Sequence, residues 1–517
     1  MIWLRILLIT LAAISLGAAA KGEKVEAERV NILLITVDDM NWNSVGAFGN
    51  PIADITPHID QLAHEGRRFE HAYVAAANCS PSRVALQTGL YPQQSGATGF
   101  FYIDDAATPS IATELRKIGF FTGIINKTAD TNPAADSAKY WDYRSDPGEV
   151  EKSSPRAFGS RSAAFFDQAK KRNQPFYLVV NIADPHKPNF NDREAAAKGS
   201  DVYKPSRIIP ESEVTVPAFL PDLPLIKTDV RNYYNSVKRA DDAVGQIIKS
   251  LRESGLEQKT LVIFLSDHGM PFPFAKSSVY QNGLRTPLVM KWPGKIEPGS
   301  LETQIVSTVD LMPTILGGAE AKMPADHAYF GQDLLGSVPA QERRYAFGGF
   351  DENARGYPVP MRGVLSRDWG YAFNAWVDGE HTIKVDDMNH MSFKQMQKYE
   401  RQKPAVRERL NFFMERATEE LCHLKVDPDC LVNLAGDPTY ASVLAQMQDA
   451  LRAHMVRTDD YLLEAFDMRG DRAQLRAFMR REHEAAKSRA GRLLWKRSIN
   501  ILGNTRSNGE LFRKGLM

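Results

Sequence analysis

Residues 30–39 read Val-Asn-Ile-Leu-Leu-Ile-Thr-Val-Asp-Asp, a continuous apolar, β-branched run that stops on the two carboxylates Asp38 and Asp39. Three further runs share this grammar. Residues 121–125 (FTGII) end in Asn126-Lys127, residues 176–182 (FYLVVNI) lead into Asp184-Pro185-His186, and residues 261–265 (LVIFL) end in Ser266-Asp267-His268-Gly269. Short, continuously apolar runs suit strands buried on both faces. Helical patterns separate them, at 59–65, 111–118, 161–171 and 231–254. Alternating strand and helix predicts an α/β architecture, a mostly parallel sheet flanked by helices. Ligands of such sheets bind outside the carboxyl ends of the strands. All four runs place charged or ionisable groups there, which packing alone does not require.

After about residue 345 the pattern changes. Residues 363–373 and 371–385 read as shorter, more polar strands suited to an antiparallel sheet. Residues 405–421 and 440–455 read as helices, with Asp437-Pro438 marking the turn between them. The expected organisation is a catalytic domain over 28–345, a smaller C-terminal domain with an antiparallel sheet over 346–460, and a basic, helical tail over 461–517. From Phe466 onward the chain has 13 basic and 5 acidic residues, a surplus of eight positive charges. That tail reads either as a solvated helix or as a polyanion-binding patch.

The 517 residues are ample for a large core, and 64 basic against 63 acidic side chains give no reason to propose nucleic acid as a partner. Residues 1–20 read as a signal peptide: Arg5 supplies positive charge, an apolar stretch follows, and Ala18-Ala19-Ala20 supply the small residues of a cleavage site. An uncleaved membrane anchor is the other reading. No later stretch is long and apolar enough to span a bilayer, so a periplasmic or secreted location is expected. Of the three cysteines, Cys422 and Cys430 share one short segment and either pair or remain free thiols. Cys79 is the odd one.

Cys79-Ser80-Pro81-Ser82-Arg83 opens a helical stretch, 84–88, that Gly89 closes. Proline is favoured at the first helical positions, where its missing N–H is no loss. Cys79 is thereby placed at a helix N-terminus, where free N–H groups and the helix dipole favour anions. Arg83 lies four residues on, on the same face, able to pair with an oxyanion. A nucleophile beside an anion site is the reading; a buried structural cysteine is the alternative.

Cys79-x-Pro81-Ser82-Arg83 followed by Leu86-x-Thr88-Gly89 resembles the signature of the type I sulfatases. The resemblance extends over most of residues 30–455, with Asp38-Asp39, Thr56-Pro57-His58-Ile59-Asp60, Ser266-Asp267-His268-Gly269 and Val309-Asp310-Leu311-Met312-Pro313-Thr314 in family order. Residues 267–276 (DHGMPFPFAK) and Tyr357-Pro358-Val359-Pro360-Met361-Arg362 are most similar to heparan N-sulfatases (sulfamidases). The resemblance implies an alkaline-phosphatase-like fold and oxidation of Cys79 to formylglycine by a maturation enzyme. It also implies one divalent ion, calcium in most members, at Asp38, Asp39, Asp267, His268 and residue 79. Many members have asparagine where this chain has His268, a softer ligand. Arg83, Lys127 and Lys276 match positions that hold sulfate oxygens, and His186 matches the histidine beside the leaving group. Thr56–Asp60 and the 309–314 motif are expected to be structural.

The implied reaction begins with one hydroxyl of hydrated formylglycine attacking sulfur. His186 protonates the departing oxygen or nitrogen, the second hydroxyl loses its proton, sulfate leaves and the aldehyde returns. One departure stands out. The family has Lys-x-His where this chain has Lys127-Thr128-Ala129, and a family glycine is replaced by Asn126. Asp130 and His268 are the alternative bases. The expected function is a sulfatase acting on sulfated sugars. The rivals are a phosphonate or phosphate-ester hydrolase on the same fold and a catalytically silent sulfated-glycan-binding protein.

Overall fold

Eight strands form the larger sheet: β1 Asn31–Val37, β2 Arg67–Tyr73, β3 Phe121–Ile125, β4 Tyr143–Ser145, β5 Phe176–Ile182, β6 Thr260–Ser266, β7 Leu288–Lys291 and β8 Ser300–Ser307. They are seen in a computed structural model that describes residues 29–100, 108–132, 137–148, 150–336 and 340–507. The expected signal peptide lies outside the described residues. The strand order is β4-β3-β5-β1-β6-β7-β2-β8. Strands β4, β3, β5, β1 and β6 run parallel; β7 is antiparallel to both β6 and β2. The four runs that end in ionisable residues are thus adjacent at the centre of the sheet.

Those runs are continuously apolar because both faces are covered. Along β1, Leu33, Ile35 and Val37 join one core with Phe158, Phe165 and Val230 from the helices Pro155–Arg172 and Pro224–Glu253. Ile32 and Leu34 join a second core with Ile111, Leu115, Leu311 and Ile315 from the helices Ile111–Lys117 and Leu311–Gly318. The alternation that assigns successive residues to opposite faces here serves two cores. The fold is therefore the expected mostly parallel α/β sheet flanked by helices.

A separate antiparallel sheet, in the order β12-β11-β10-β9, comprises β9 Ala346–Glu352, β10 Pro358–Leu365, β11 Trp369–Asn374 and β12 Glu419–His423. Three sequence expectations are corrected here. Residues 363–373 span two strands, because Ser366 Oγ accepts from the backbone N–H groups of Asp368 and Trp369 and turns the chain. The strand expected over 371–385 ends at Asn374. The helix expected over 405–421 is Pro404–Glu415; Arg416, at φ 47°, leaves helical geometry, and the following residues become β12. Cys422 and Cys430 form a disulfide between β12 and the loop after it.

The two sheets are tied together near the larger sheet's carboxyl edge. Ala77 N–H donates to Gly349 O and Gly349 N–H to Ala75 O, both at 3.0 Å. Tyr280 donates to Glu420 at 2.5 Å, and Asn282 to Asp429 at 2.8 Å. The tail contains a helix, Arg472–Ser507. Leu475, Phe478 and Met479 of it are buried, and Arg476, Arg480, Arg481 and Arg489 pair with acids of this chain. Among the described residues, no helix is long and apolar enough to cross a membrane.

The long helix Pro224–Glu253 also fixes the loop after β5. Arg239 Nε and Nη2 donate to the two oxygens of Asp184 at 2.7 and 2.8 Å, both side chains being buried. The Asp184 carbonyl in turn accepts from Asp38 N–H at 3.3 Å. Removing one partner of a buried ion pair leaves a charge without compensation, worth about 3–5 kcal/mol. Arg239→Ala is expected to lower the unfolding free energy by that amount, read from urea titration, with Arg239→Lys falling between it and the parent chain.

Candidate active site

The helix Cys79–Thr88 begins on Cys79 itself, after Asn78 in extended conformation, and Gly89 closes it at φ 67°. Every residue of this helix is buried. The helix N-terminus abuts the carboxyl ends of β1 and β6. Cys79 Sγ lies 3.4 Å from Asp38 Oδ1, 3.3 Å from His268 Nε2 and 3.6 Å from Lys276 Nζ. Burial, reinforced by the Asp38 carboxylate, pushes the Cys79 thiol well above its ordinary range. A thiol so placed is protonated and a poor nucleophile.

Three carboxylates and three cations interleave around it. Lys127 Nζ is 2.5 Å from Asp38 Oδ2, and Lys276 Nζ is 2.8 and 3.0 Å from the two oxygens of Asp39. Arg83 reaches Asp267 Oδ2 through Nη2 at 2.9 Å and Nε at 3.1 Å, with Asp38 Oδ2 at 3.7 Å. Burial alone would raise Asp38, yet Lys127, His186, Arg83 and Lys276 together hold its carboxyl well below the usual range. For Asp39 burial prevails over Lys276 and His268, and its carboxyl is raised. Burial opposes the charge on Lys127 and Lys276, but the facing carboxylates raise both.

Two imidazoles complete the cluster. His268 Nδ1 contacts Gly269 O at 3.0 Å, and its Nε2 lies 3.3 Å from Cys79 Sγ and 3.2 Å from Asp39 Oδ1. His186 Nδ1 likewise contacts Lys187 O, at 2.6 Å. Burial and nearby Lys276 hold His186 down to about 3, so it is neutral in the free site. Donor atoms of Asp38, Cys79, Asp267 and His268 lie within 4.8 Å of one another, as do those of Asp38, Asp39, Cys79 and His186. The structure thus brings together all nine expected site residues: Asp38, Asp39, Cys79, Arg83, Lys127, His186, Asp267, His268 and Lys276.

Several supporting residues escaped the sequence reading. Arg83 Nη1 donates to Thr36 Oγ1 at 2.6 Å and to Asn181 Oδ1 at 2.7 Å. These two stand side by side in register on β1 and β5. Their signal was present, as the polar residues interrupting VNILLITV and FYLVVNI just before the carboxyl ends. Asn126 and Lys127 both have positive φ, 64° and 54°. Asparagine tolerates that region better than most residues, which accounts physically for Asn126 in place of a glycine. Asn126 and Asn181 also exchange side chain-to-carbonyl hydrogen bonds at 2.8 Å. Ala129 is exposed in the short helix Thr128–Thr131, and Asp130 pairs with Lys127 at 3.2 Å. Thr56 Oγ1 accepts from Gly46 N–H, and Asp310 accepts from Ser307 N–H and pairs with Arg343. Both motifs are knitted into the surrounding loops.

A protein-family model described as Sulfatase matches residues 30–321, a span holding every residue of this cluster. The chain belongs to the sulfatase family. The family comprises sulfuric ester hydrolases. An ulvan-active sulfatase of Formosa agariphila is 28% identical over 480 residues, covering 83% of this chain and 76% of that protein. Human N-sulphoglucosamine sulphohydrolase is 28% identical over 459 residues, covering 83% and 90%. A solved structure in complex with its substrate D-glucosamine-2-N,6-O-disulfate superposes with a TM-score of 0.61 at 18% identity, covering 84% of this chain and 99% of that one. The shared fold is the alkaline-phosphatase-like one.

Gly269 shows how tightly the sulfatase cluster is framed. A Cβ there would lie 1.7 Å from the Asn282 carbonyl oxygen, a backbone atom that cannot swing away. Gly269→Ala is expected to displace the His268 ring and to destabilise the fold by about 3 kcal/mol, the upper end for overpacking. Chemical denaturation measures the loss, and the histidine resonances report the displacement.

Proposed function

We propose that this sulfatase hydrolyses sulfate esters or sulfamates of sulfated carbohydrates, with formylglycine made from Cys79 as the nucleophile and one divalent cation, calcium by preference. The observation that carries this reading is the convergence of Cys79 Sγ with Asp38, His268 and Lys276, all within 3.6 Å, at the N-terminus of a buried helix. A protonated, buried thiol fits the role of precursor better than that of a thiolate nucleophile.

The donor set suits a hard cation. Asp38, Asp39 and Asp267 offer carboxylate oxygens, and His268 offers Nε2 because its Nδ1 is engaged with Gly269 O. A bound ion supplies Lewis-acid polarisation of the sulfate oxygens. The chain's own residues do the rest. Arg83, Lys127 and Lys276 are fixed cations, each now facing carboxylates of this chain, and can turn to the oxygens of an anion. His186 is neutral in the free site; the negative charge of a bound sulfate favours its protonation, after which it can protonate the departing atom. No imidazole stands at Ala129, and His268 is the imidazole beside residue 79.

Ulvan, glucosamine N-sulfate and glucosamine disulfate, named for the relatives and the neighbour, support a sulfated sugar as substrate. The family match favours this reading over a phosphonate or phosphate-ester hydrolase and over a silent glycan-binding protein. The Cys422–Cys430 disulfide supports an oxidising, periplasmic or secreted location. A maturation enzyme is the implied partner.

Ion chromatography after incubating matured protein with a panel of defined sulfated sugars is expected to show free sulfate. Cys79→Ala should abolish its release while leaving the melting temperature unchanged. Failure of every panel sugar, with formylglycine at position 79 verified by mass spectrometry, overturns the proposal. Asp38→Ala, Asp39→Ala and Asp267→Ala should each lose the divalent ion in elemental analysis of purified protein, since each removes a charged oxygen ligand. Full occupancy in all three would put the ion elsewhere.

A further inference from the structure

The segment Asp386-Asp387-Met388-Asn389-His390-Met391-Ser392 follows the second sheet's third strand, far in sequence from the nucleophile, yet it is fastened to two loops of the active site. His390 Nδ1 contacts Pro271 O at 3.1 Å, in the loop that runs from His268 to Lys276. Ser392 donates to Asp229 Oδ2 from its backbone N at 3.1 Å and from Oγ at 2.6 Å. The other oxygen of Asp229 pairs with Lys187, the residue after His186. The segment therefore bridges the loop of Lys276 and the loop of His186.

Two side chains at the middle of this bridge are unexplained by the reaction. Asp387 is fully buried, and among the described residues neither of its carboxyl oxygens has a hydrogen-bond partner. A carboxyl in that state is a standing expense that folds rarely tolerate without a use. Its neighbour is His390, whose Nδ1 lies 3.9 Å from Asp387 Oδ1 and whose side chain is 20% exposed. The Pro271 carbonyl fixes the proton of the neutral ring on Nδ1, so Nε2 is a hydrogen-bond acceptor. Burial and nearby Lys187 and Lys276 hold the imidazole down to about 3, which keeps it in that neutral form. An acceptor repels sulfate oxygens and attracts hydroxyl or ammonium hydrogens.

We infer that His390 is a specificity residue that accepts a hydrogen bond from a hydroxyl or amino group of the substrate's sugar ring, the Pro271 carbonyl holding the imidazole in place. The inference rests on the sulfated-sugar reading above and adds to it the residue that reads the sugar rather than the sulfate. It predicts that the chain discriminates a sulfated sugar from a sulfate ester without ring hydroxyls, and that the discrimination lies in this bridge.

The test compares His390→Ala and His390→Gln with the parent chain on two substrates: the panel sugar that releases most sulfate, and 4-nitrophenyl sulfate. The ratio of kcat/KM for the sugar to that for the aryl ester should fall about 10- to 100-fold in His390→Ala, the range for a hydrogen bond made in a buried site. His390→Gln, which retains an acceptor, should recover part of it. Saturation-transfer NMR with the unsulfated panel sugars should show binding to the parent chain and none to His390→Ala. An unchanged ratio, or an equal fall on both substrates, overturns the assignment, as does equal binding of the unsulfated sugars by parent and variant, or binding by neither. If the parent chain releases no sulfate from either substrate, the sulfatase proposal itself fails, and the NMR comparison still decides whether His390 contacts the sugar.

Discussion

Asp38, Asp39 and Asp267 are held out of water at one edge of a parallel sheet, and the surrounding structure answers to that burial. Desolvating an ion costs several kcal/mol even after relaxation, and only close partners with good geometry offset it. Arg83, Lys127 and Lys276 are those partners, one per carboxylate. Each cation then needs support of its own. Arg83 takes it from Thr36 and Asn181 on adjacent strands, and Lys127 is presented by two successive residues in left-handed conformation. Sheet, helix and loops are thus parts of one electrostatic arrangement. An incoming anion can exploit it because these cations already stand together and need no assembling.

What the sequence disclosed follows from how local the signals are. A strand covered on both faces must be apolar throughout, so 30–37, 121–125, 176–182 and 261–265 declare themselves. Ionisable residues directly after such runs are carried to one edge by the parallel topology, which made Asp38, Lys127, His186 and Asp267 legible. Lys276 was reached through the motif that follows Asp267. The boundaries after residue 345 were less legible, because the turns between the strands hang on single contacts such as Ser366 Oγ. Residues 405–421 kept a helical pattern across a break set by the backbone of Arg416. Asp387 and His390 gave no signal at all: nothing in DDMNHMS announces that Pro271 and Asp229 lie beside it.

The second sheet belongs to the frame of the site as much as the first does. The loop closed by Cys422–Cys430 carries Pro428 and Asp429, which bond Gln281 and Asn282. The Asn282 carbonyl is the atom that leaves no room for a side chain at Gly269, next to His268. Tyr280, two residues before Asn282, is bonded to Glu420, which Arg416 holds in turn. Disturbance of the smaller sheet therefore has a short covalent and hydrogen-bonded route to the imidazole beside residue 79.

The 2% exposure of Cys79 turns its chemistry into a question of history. Another protein's active site can reach that side chain only while the chain is still open, since afterwards Asp38, His268 and Lys276 crowd it too closely for a protein-sized visitor. Each molecule passes that window once, before it folds. Under the proposed oxidation of Cys79, a population that folds partly unprocessed stays a mixture for its lifetime, and the specific activity of a preparation would record how folding and processing raced one another in the cell that made it.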